Sequence, residues 1–386
     1  MEKVLELIKQ TKMFAPGDVV GVGVSGGSDS IALLHLLNEN KEDLDIDVVA
    51  INVDHCLREE SALDSAFVQR FCRTNHIRLF KFRVDCAQIA KSKKMSVEAA
   101  AREGRYGMFD TLLKKGLVDK IATAHHVSDQ AETVLLHILR GSGLSGAKGM
   151  SLIRGNYVKP FLFTEKYEIN AYIYNNKLEY VEDESNYDTR FQRNFIRNKV
   201  LPLIRQEWRS ADKTLASFAS LCAADDDFIN KFALTDGIIN DELYVKVPLT
   251  YFSYDKCVVA RILFKALSMA GLEADVERKH INDIFDLYEK ENGTRIDLPG
   301  GAKAIKEYEY ITLTKQDKKI MIDEYKFKTG KTSVPGYGSI YVKKTVNLIL
   351  KPNVHLIDCA KLPKGATWRK RQEGDIITKF GGGTKN

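Results

Sequence analysis

Short strand-like segments alternate with helical patterns over the first 140 residues, and this alternation constrains the fold more than any other feature. The strand-like segments, rich in valine and isoleucine, are Val19–Val24, Asp47–Asp54, Arg78–Asp85 and Lys120–His125. The helical patterns are Asp29–Leu37, Glu59–Asn75, Ser96–Lys115 and Asp129–Arg140. The alternation predicts an α/β fold with a parallel sheet and helices on both faces. Because such sheets bind ligands at the carboxyl ends of their strands, the residues after each strand are the candidates for chemistry.

The pattern changes beyond about residue 205. Long helical patterns cover Ser210–Phe232, Thr250–Ala270 and Ala274–Glu291, and short strands with a Pro-Gly-Gly turn are expected in Gly293–Lys315. We therefore predict a catalytic domain over residues 1–205 and a mainly helical domain with a β appendage over residues 206–320. Residues 321–386 are expected to form a linker and an incomplete small α+β domain, because the chain ends on glycines at Asn386 without a closing element.

Composition favours a globular protein of the cytoplasm. The chain is 44% hydrophobic and 28% charged, and no stretch approaches the roughly 20 apolar residues that span a membrane. The charged start, Met1–Glu6, lacks the apolar core of a signal peptide. The six cysteines are scattered without C-x-x-C or ligand-like spacing to histidine, which favours reduced thiols over a structural zinc site or a Cys-ligated cluster.

The charge balance leans toward a polyanionic partner. Lysine and arginine outnumber aspartate and glutamate by 58 to 52, a net charge of +6. The basic residues concentrate in two stretches: Arg190, Arg193, Arg197, Lys199, Arg205 and Arg209, and then Lys364, Arg369, Lys370, Arg371, Lys379 and Lys385. Two solvated surfaces would account for the same pattern.

The first strand carries a misleading glycine motif. Gly21 to Gly26 matches G-x-G-x-x-G, the pattern of a dinucleotide-binding turn. In that fold the glycines follow the strand, whereas Gly21 and Gly23 alternate with valines inside it and should face something bulky. The acidic residue expected about 20 positions further on is also poorly placed, since the second strand ends later, at Asp54. A Walker A loop is excluded because no G-K-[ST] follows.

The turn proper is the hexapeptide Ser25-Gly26-Gly27-Ser28-Asp29-Ser30. Its glycines let backbone N–H groups converge on an anion, the helix start adds its positive dipole end, and the serine hydroxyls can donate further hydrogen bonds. Asp29 would hold Mg²⁺ or organise the loop. The alternative is an ordinary glycine turn with a Ser or Asp helix cap.

This hexapeptide resembles the PP-loop of the ATP pyrophosphatase family, whose members cleave ATP between the α and β phosphates. Six further stretches, in order and at similar spacing, resemble the tRNA(Ile)-lysidine synthetases within that family, over essentially the whole chain. They are VDHCLR (Val53–Arg58), AAREGRYGMF (Ala100–Phe109), TAHHVSDQAET (Thr123–Thr133), RGSGLSGAKGM (Arg140–Met150), EDESN (Glu182–Asn186) and RNFIRNKVLP (Arg193–Pro202).

The resemblance implies a reaction and its partners. In this family free lysine is ligated to C2 of the wobble cytidine of a CAU-anticodon tRNA(Ile), through an adenylated cytidine, giving lysidine, AMP and pyrophosphate. The partners are therefore ATP, Mg²⁺, L-lysine and the tRNA, and the family suggests a homodimer. A PP-loop fold of the adenine-nucleotide alpha-hydrolase type is implied for the first domain.

The resemblance also implies roles for residues at matching positions. The ATP-binding residues would be Ser25, Gly26, Gly27, Ser28, Asp29 and Ser30, with Asp29 as the Mg²⁺ ligand. The catalytic residues would be Asp29, Arg102, His125, Asp129 and Glu132, of which Asp129 and Glu132 would bind lysine. Arg193, Asn194 and Arg197 would contact tRNA.

The amine of the substrate lysine presents a chemical problem. With a pKa of about 10.4 this amine is almost wholly protonated at neutral pH, but only the free base attacks an electrophile. Carboxylates beside the ammonium group would raise its pKa further. Asp129 and Glu132 are therefore better suited to holding the α-amino group or to accepting a proton late, and His125 is a candidate for phosphate contact or proton transfer.

Each site assignment has a structural alternative. Asp129 as helix cap and Glu132 three residues later fit a capping box. Glu98 and Arg102 fit an exposed i,i+4 ion pair, and the two histidines His125 and His126 could be half-buried residues without a role in catalysis. The glycines between Gly141 and Gly149 predict either a flexible connector or a mobile loop beside the active site.

The chain departs from the family pattern at two site positions. Ser128 stands where an aspartate is usual, so any role of that carboxylate is lost or moved to another residue. Lys159 stands where an arginine is usual, which weakens any bidentate contact at that position. Two other functions stay open. A tRNA thiolase with the same loop would need paired catalytic cysteines, and a non-catalytic tRNA-binding protein would not need an intact loop.

Overall fold

The computed structural model describes residues 1–56, 61–181, 192–272, 276–314, 325–334 and 338–345, and short pieces at 357, 360, 362, 365–368, 377–378 and 384–385. The chain divides into two compact units, Met1–Phe228 and Ile229–Asn386, which are considered separately. The three-domain division at residues 205 and 320 stays a prediction. Arg190, the EDESN stretch and most of the C-terminal basic residues lie outside the described residues.

A six-stranded sheet forms the centre of the first unit. Its strands are β1 (Asp18–Gly23), β2 (Ile46–Asp54), β3 (Arg78–Arg83), β4 (Lys120–Ala122), β5 (Ile153–Arg154) and β6 (Tyr157–Val158). The spatial order is β3-β2-β1-β4-β6-β5, and all neighbouring pairs are parallel except the antiparallel β5–β6 pair. The predicted α/β fold with a parallel sheet is confirmed, and the first strand lies between the second and the fourth.

Helices connect these strands and continue beyond them. They are α1 (Glu2–Gln10), α2 (Ser28–Glu39), α3 (Ser61–Thr74), α4 (Cys86–Lys93), α5 (Val97–Lys114), α6 (Val127–Leu139), α7 (Leu144–Ala147), α8 (Lys166–Asn175), α9 (Gln192–Phe195), α10 (Leu201–Glu207) and α11 (Ala211–Phe232). A π-helical turn, Ile196–Val200, joins α9 to α10. The four helices predicted for the first 140 residues are present with slightly different ends, whereas α1 and α4 were not predicted.

Two apolar layers enclose the sheet and fix the position of β1. Helix α2 buries Ile31, Leu34 and Leu37 in one layer. Helix α5 buries Phe109 with Ile51 and Ile121 in the other. The strand glycines face this second layer, because a Cβ at Gly21 would lie 2.5 Å from Ile51 Cδ1 and a Cβ at Gly23 would lie 2.9 Å from Phe109 Cζ. The prediction that these glycines belong to the strand and face bulky groups is confirmed.

The second unit contains a five-stranded antiparallel sheet and two helices. Its elements are β7 (Ile239–Asn240), β8 (Tyr244–Pro248), β9 (Arg295–Asp297), β10 (Lys303–Lys306), β11 (Tyr310–Thr314), α12 (Lys256–Met269) and α13 (Arg278–Tyr288). The strand order is β7-β8-β11-β10-β9. The helices bury Ile262, Leu263 and Ile284 against it. Two strands of this sheet, β7 and β8, therefore precede α12, and sequence periodicity did not indicate them. The Pro-Gly-Gly turn lies between β9 and β10, with Gly300 at φ 69°.

Short strands follow in the last part of the chain. They are β12 (Tyr325–Lys326), β13 (Gly330–Val334), β14 (Gly338–Val342), β15 (Thr367–Trp368), β16 (Ile377–Thr378) and β17 (Thr384–Lys385), paired as β12–β15, β13–β14 and β16–β17. Among the residues that the structure describes, no helix has the length and apolar character to cross a membrane.

Candidate active site

The turn between β1 and α2 is closed by a serine hydroxyl. The N–H of Ser25 donates to Ser30 Oγ at 3.2 Å, and Ser30 Oγ donates to the carbonyl of Gly27 at 2.9 Å. Gly26 has φ 98°, a conformation that side chains with a Cβ rarely adopt. Helix α2 begins at Ser28 with Gly27 as its N-cap and has no side-chain cap, so the alternative of an ordinary Ser or Asp cap is wrong. The first N–H groups of α2 are left without a side-chain acceptor, as an anion site requires.

A lysine from a distant helix lies beside this turn. Lys166 Nζ, at the start of α8, donates to Ser28 Oγ at 3.0 Å and to Asp29 Oδ1 at 2.5 Å. The turn has no lysine of its own, and Lys166 supplies one from 137 residues away. Sequence reasoning missed this residue because it belongs to none of the recognisable motifs.

His126 connects the turn to the start of α6. Its side chain is buried, with Nε2 3.7 Å from Asp29 Oδ2 and 3.6 Å from Asp129 Oδ2. Its Nδ1 accepts from the N–H of Ser128 at 3.2 Å, which leaves the proton of the neutral ring on Nε2, facing both carboxylates. Sequence reasoning singled out His125 and gave His126 no role.

The capping box at the start of α6 is one turn earlier than predicted. His126 is the N-cap, and Asp129 Oδ2 accepts from the backbone N–H of His126 at 3.0 Å. The expected box, with Asp129 as cap and Glu132 as its partner, is therefore wrong. Local cap preference favours Asp over His, but the chain leaves β4 after Ala122 and enters the helix earlier than the apolar pattern indicated.

Two arginines form hydrogen-bonded ion pairs with the carboxylates that were predicted to bind lysine. Glu132, 1% exposed, accepts from Arg197 Nε at 2.6 Å, from Arg197 Nη2 at 2.9 Å and from Arg193 Nε at 3.0 Å. Asp129 Oδ1 accepts from Arg197 Nη2 at 2.8 Å, and Arg193 Nη2 is 3.6 Å away. We call these four residues the carboxylate–guanidinium cluster. The predicted lysine-binding and tRNA-binding residues are thus brought together, on α6 and on the segment from α9 through the π-helical turn.

The ionisation of this cluster follows from its contacts. Burial opposes the charged form of Asp129, but the neighbouring histidines and the guanidinium groups of Arg193 and Arg197 outweigh it and hold the pKa of Asp129 well below its usual range. Burial likewise opposes the charge of Arg197, but the hydrogen bond to Glu132 raises the pKa of Arg197. Both side chains are ionised at neutral pH.

His125 occupies a different environment from His126. Its Nδ1 lies 2.9 Å from Thr123 Oγ1. Burial lowers the pKa of His125 to about 4, and the charges of Arg193, Lys159 and Arg102 act in the same direction against the opposing charge of Asp129. His125 is therefore neutral at pH 7 and can accept a proton or a hydrogen bond.

Two of the remaining predicted positions, Arg102 and the departure Lys159, lie close enough to His125 for their charges to act on it. Arg102, on the first turns of α5, is exposed and lies over the ring of Tyr106 at 4.8 Å. Lys159 is 9% exposed and donates to the carbonyl of Ser151 at 3.2 Å. Burial and the charge of Arg102 lower the pKa of Lys159. The side chain of Glu98, the alternative partner of Arg102, lies outside the described residues. Asn194 lies on α9 and is half-buried.

The glycine-rich stretch after α6 is held by side-chain hydrogen bonds in its middle and at its C-terminal end. Met150 N–H donates to Gln130 Oε1 at 2.7 Å, and Gln130 Nε2 donates to the carbonyl of Met150 at 3.0 Å. Ser145 Oγ and Lys148 Nζ each donate to buried Asp226 of α11 at 2.8 Å. The segment predicted to be a flexible or mobile loop contains α7 and is tied to two other helices.

Two cysteines come together near the carboxyl end of β2. The N–H of Cys86 donates to the carbonyl of His55, the neighbour of Cys56, and Cys86 Sγ lies 3.4 Å from His55 Nδ1. Sequence spacing gave no sign of this pair. Burial raises the pKa of Cys86, which is 0% exposed, whereas Cys56 is exposed.

The described side chains provide little for a resident metal. Within the described ranges, no group of three or more His, Cys, Asp or Glu side chains could hold a metal ion. Asp29 supplies one carboxylate beside an anion-binding turn. Mg²⁺ commonly takes one or two carboxylates and completes its shell with substrate phosphates and water, so this donor set fits a metal that arrives with a nucleotide.

Comparisons with known proteins give a consistent result. A sequence profile of the PP-loop domain matches residues 1–204. The chain is 37% identical to the tRNA(Ile)-lysidine synthase of Clostridium perfringens over 325 residues, 82% of this chain and 69% of that protein. It is 32% identical to the tRNA(Ile)-lysidine synthase of Clostridium acetobutylicum over 394 residues, 98% of this chain and 86% of that protein. A more distant likeness is to the structure of the U34-tRNA thiolase NcsA from Methanococcus maripaludis with its [4Fe-4S] cluster. The TM-score is 0.47 and the sequence identity 17%, over 57% of this chain and 80% of that one. This likeness carries no functional conclusion.

Proposed function

Because the chain belongs to the PP-loop family and, within it, to the tRNA(Ile)-lysidine synthases, we propose that it ligates free lysine to C2 of the wobble cytidine of a CAU-anticodon tRNA(Ile). ATP is split to AMP and pyrophosphate in the process. The observation that carries the proposal is the placement of His126 between the anion-binding turn and the carboxylates of α6. Its Nε2 is 3.7 Å from Asp29 and 3.6 Å from Asp129, which supports a phosphate site and an amine site close to each other at the carboxyl ends of β1 and β4.

In the first step the cytidine O2 attacks the α-phosphorus of ATP, and pyrophosphate leaves. The N–H groups of Gly27 and of the first turn of α2 would bind phosphate oxygens, and Lys166 would neutralise developing charge beside them. Asp29 would hold Mg²⁺, which supplies charge neutralisation on the phosphates when bound. Arg102, exposed at the start of α5, is free to approach the nucleotide.

In the second step the lysine nitrogen forms a bond to C2. The C2–O bond breaks, AMP leaves with the electron pair, and the nitrogen loses its extra proton. His125 supports this step as a neutral acceptor, because its pKa of about 4 leaves it unprotonated at pH 7. Asp129 and Glu132 would orient the amino acid.

The tRNA would approach from the side of α9. Arg193 and Arg197 keep 28% and 33% of their side chains exposed, so phosphate contact and pairing with the carboxylates are compatible. The anticodon base must leave its stack to reach the sheet edge.

The test is incorporation of labelled lysine into a CAU-anticodon tRNA(Ile) in the presence of ATP and Mg²⁺, with pyrophosphate release measured on the same samples. We expect incorporation by the wild-type chain, and none with a tRNA whose wobble base is uridine. Folded protein that releases no pyrophosphate would favour a non-catalytic tRNA-binding protein. Pyrophosphate release with incorporation of sulfur in place of lysine would favour the thiolase.

Two variants assign the steps. Asp29→Ala should abolish pyrophosphate release in the presence of tRNA. Asp129→Ala should keep part of the adenylation and require more lysine. Equal loss of both steps in Asp129→Ala would mean that this residue acts only through the helix start.

A further inference from the structure

The carboxylate–guanidinium cluster is internally balanced in charge and in hydrogen bonds. Both oxygens of Glu132 accept from guanidinium groups, with donor distances of 2.6, 2.9 and 3.0 Å. In Asp129, Oδ1 accepts from Arg197 and Oδ2 from the backbone of His126. Two negative side chains thus face two positive ones in a buried setting. A cationic amine that enters this site meets carboxylates whose charge is already compensated.

Further charged or titratable groups surround the cluster. They are His125, His126, Asp29, Lys166, Asp212 and Arg205. The two carboxylates among these groups each have a cationic partner, Asp29 with Lys166 and Asp212 with Arg205. Neither therefore adds an uncompensated negative charge to the environment of the cluster. The balance of the site depends on the two arginines of the cluster.

From this balance, and resting on the function proposed above, we infer that Arg197, assisted by Arg193, is a positioning residue for the amine-transfer step. Its guanidinium compensates Glu132 and Asp129, so that these carboxylates orient the lysine without holding its attacking amine in the protonated form. The arginine acts through the carboxylates and need not touch the reacting atoms. This resolves the conflict between two carboxylates at the amine site and a reaction that consumes only the free base.

The size of the effect follows from elementary electrostatics. An uncompensated opposite charge within roughly 4–6 Å shifts a pKa by about 1–3 units. Each unit lowers the free-base fraction of an amine about tenfold at a pH below its pKa. Removing the charge of Arg197 should therefore slow lysine transfer tenfold or more at neutral pH. Adenylation, which involves no amine, should change far less.

The experiment compares Arg197→Ala and Arg197→Lys with the wild-type chain in single-turnover reactions at saturating ATP and tRNA, between pH 6.5 and 10. Lysine transfer and pyrophosphate release are followed together, and the adenylated tRNA is trapped in parallel with hydroxylamine, which is already unprotonated at neutral pH. For Arg197→Ala we expect lysine transfer at neutral pH to be about tenfold slower or more and to approach the wild-type rate as the pH rises, with hydroxylamine trapping unchanged. Arg197→Lys keeps the charge and should keep the wild-type pH profile.

Two further variants separate charge compensation from structural damage. The double variant Arg205→Ala/Asp212→Asn removes one charge of each sign outside the cluster, including an arginine of similar exposure, 36%, and it should leave the pH profile unchanged. The double variant Arg197→Ala/Glu132→Gln removes one charge of each sign and should return the pH profile toward that of the wild type. The inference is overturned if Arg197→Ala slows lysine transfer and hydroxylamine trapping by the same factor at every pH, or has no effect. A wild-type chain that forms no lysidine would instead refute the proposed function.

Discussion

Replacing Glu132 by alanine should destabilise the first unit strongly, whatever the reaction. The substitution removes a carboxylate that is 1% exposed and accepts three hydrogen bonds from two guanidinium groups. Breaking a buried ion pair by removing one partner costs about 3–5 kcal/mol. Because 28% and 33% of the two arginine side chains are exposed, water can solvate them in part. We therefore expect the lower end, about 3 kcal/mol.

The assay is hydrogen exchange of the α6 amides, measured by mass spectrometry under native conditions. A loss of about 3 kcal/mol corresponds to exchange that is roughly 150-fold faster, if these amides exchange through unfolding of the unit. The matched control is Asp212→Ala, which breaks a more exposed pair with Arg205 and should cost about 1 kcal/mol.

The reasoning would be refuted if Glu132→Ala accelerated exchange no more than Asp212→Ala does. The guanidinium groups would then be satisfied by solvent, and the cluster would contribute little to the fold. The result also bears on activity measurements, because a destabilised unit lowers apparent activity without any change in chemistry.

Three further predictions concern packing, pH and the glycine-rich segment. Gly23→Ala should destabilise the chain by about 1–3 kcal/mol in urea unfolding, because the added Cβ would lie 2.9 Å from Phe109 Cζ. Gly107 lies on the same helix as Phe109, but a Cβ there would meet no atom within 4 Å, so Gly107→Ala should stabilise the chain by about 0.5–1 kcal/mol. Burial lowers the pKa of His125 from its ordinary value of 6.5 to about 4 in the folded chain, so the unfolded chain binds the proton more readily. The free energy of unfolding should therefore fall by up to about 3 kcal/mol as the pH drops from 6.5 to 4. Urea unfolding at the two pH values should show a smaller fall for His125→Gln. Asp226→Asn should speed hydrogen exchange of residues 141–150, since it weakens the bonds from Ser145 and Lys148; unchanged exchange there would mean that the Gln130 contacts suffice.

Much of the fold and part of the site follow from local sequence. Alternating valines and glycines predict β1, and the periodic apolar residues of Ile31–Leu37 predict α2, because strand and helix periods are properties of neighbouring residues. The hexapeptide Ser25–Ser30 predicts an anion-binding turn for the same reason, since its glycines and serines act on the backbone within a few residues. The short, irregular β4 and the helix α4 were less predictable, as their ends depend on packing.

The partners of the site residues were decided only by the tertiary structure. Lys166 reaches Asp29 across 137 residues, and Arg197 reaches Glu132 across 65, separations at which no periodicity or capping rule acts. The choice of His126 over His125 as the link between turn and helix depends on where the chain leaves β4. The sequence by itself determined which backbone segments could bind an anion and which carboxylates follow a strand. The order of strands in the sheet and the packing of α8 and α9 decided which charges those groups meet, because burial and ion pairing depend on distances in space rather than along the chain.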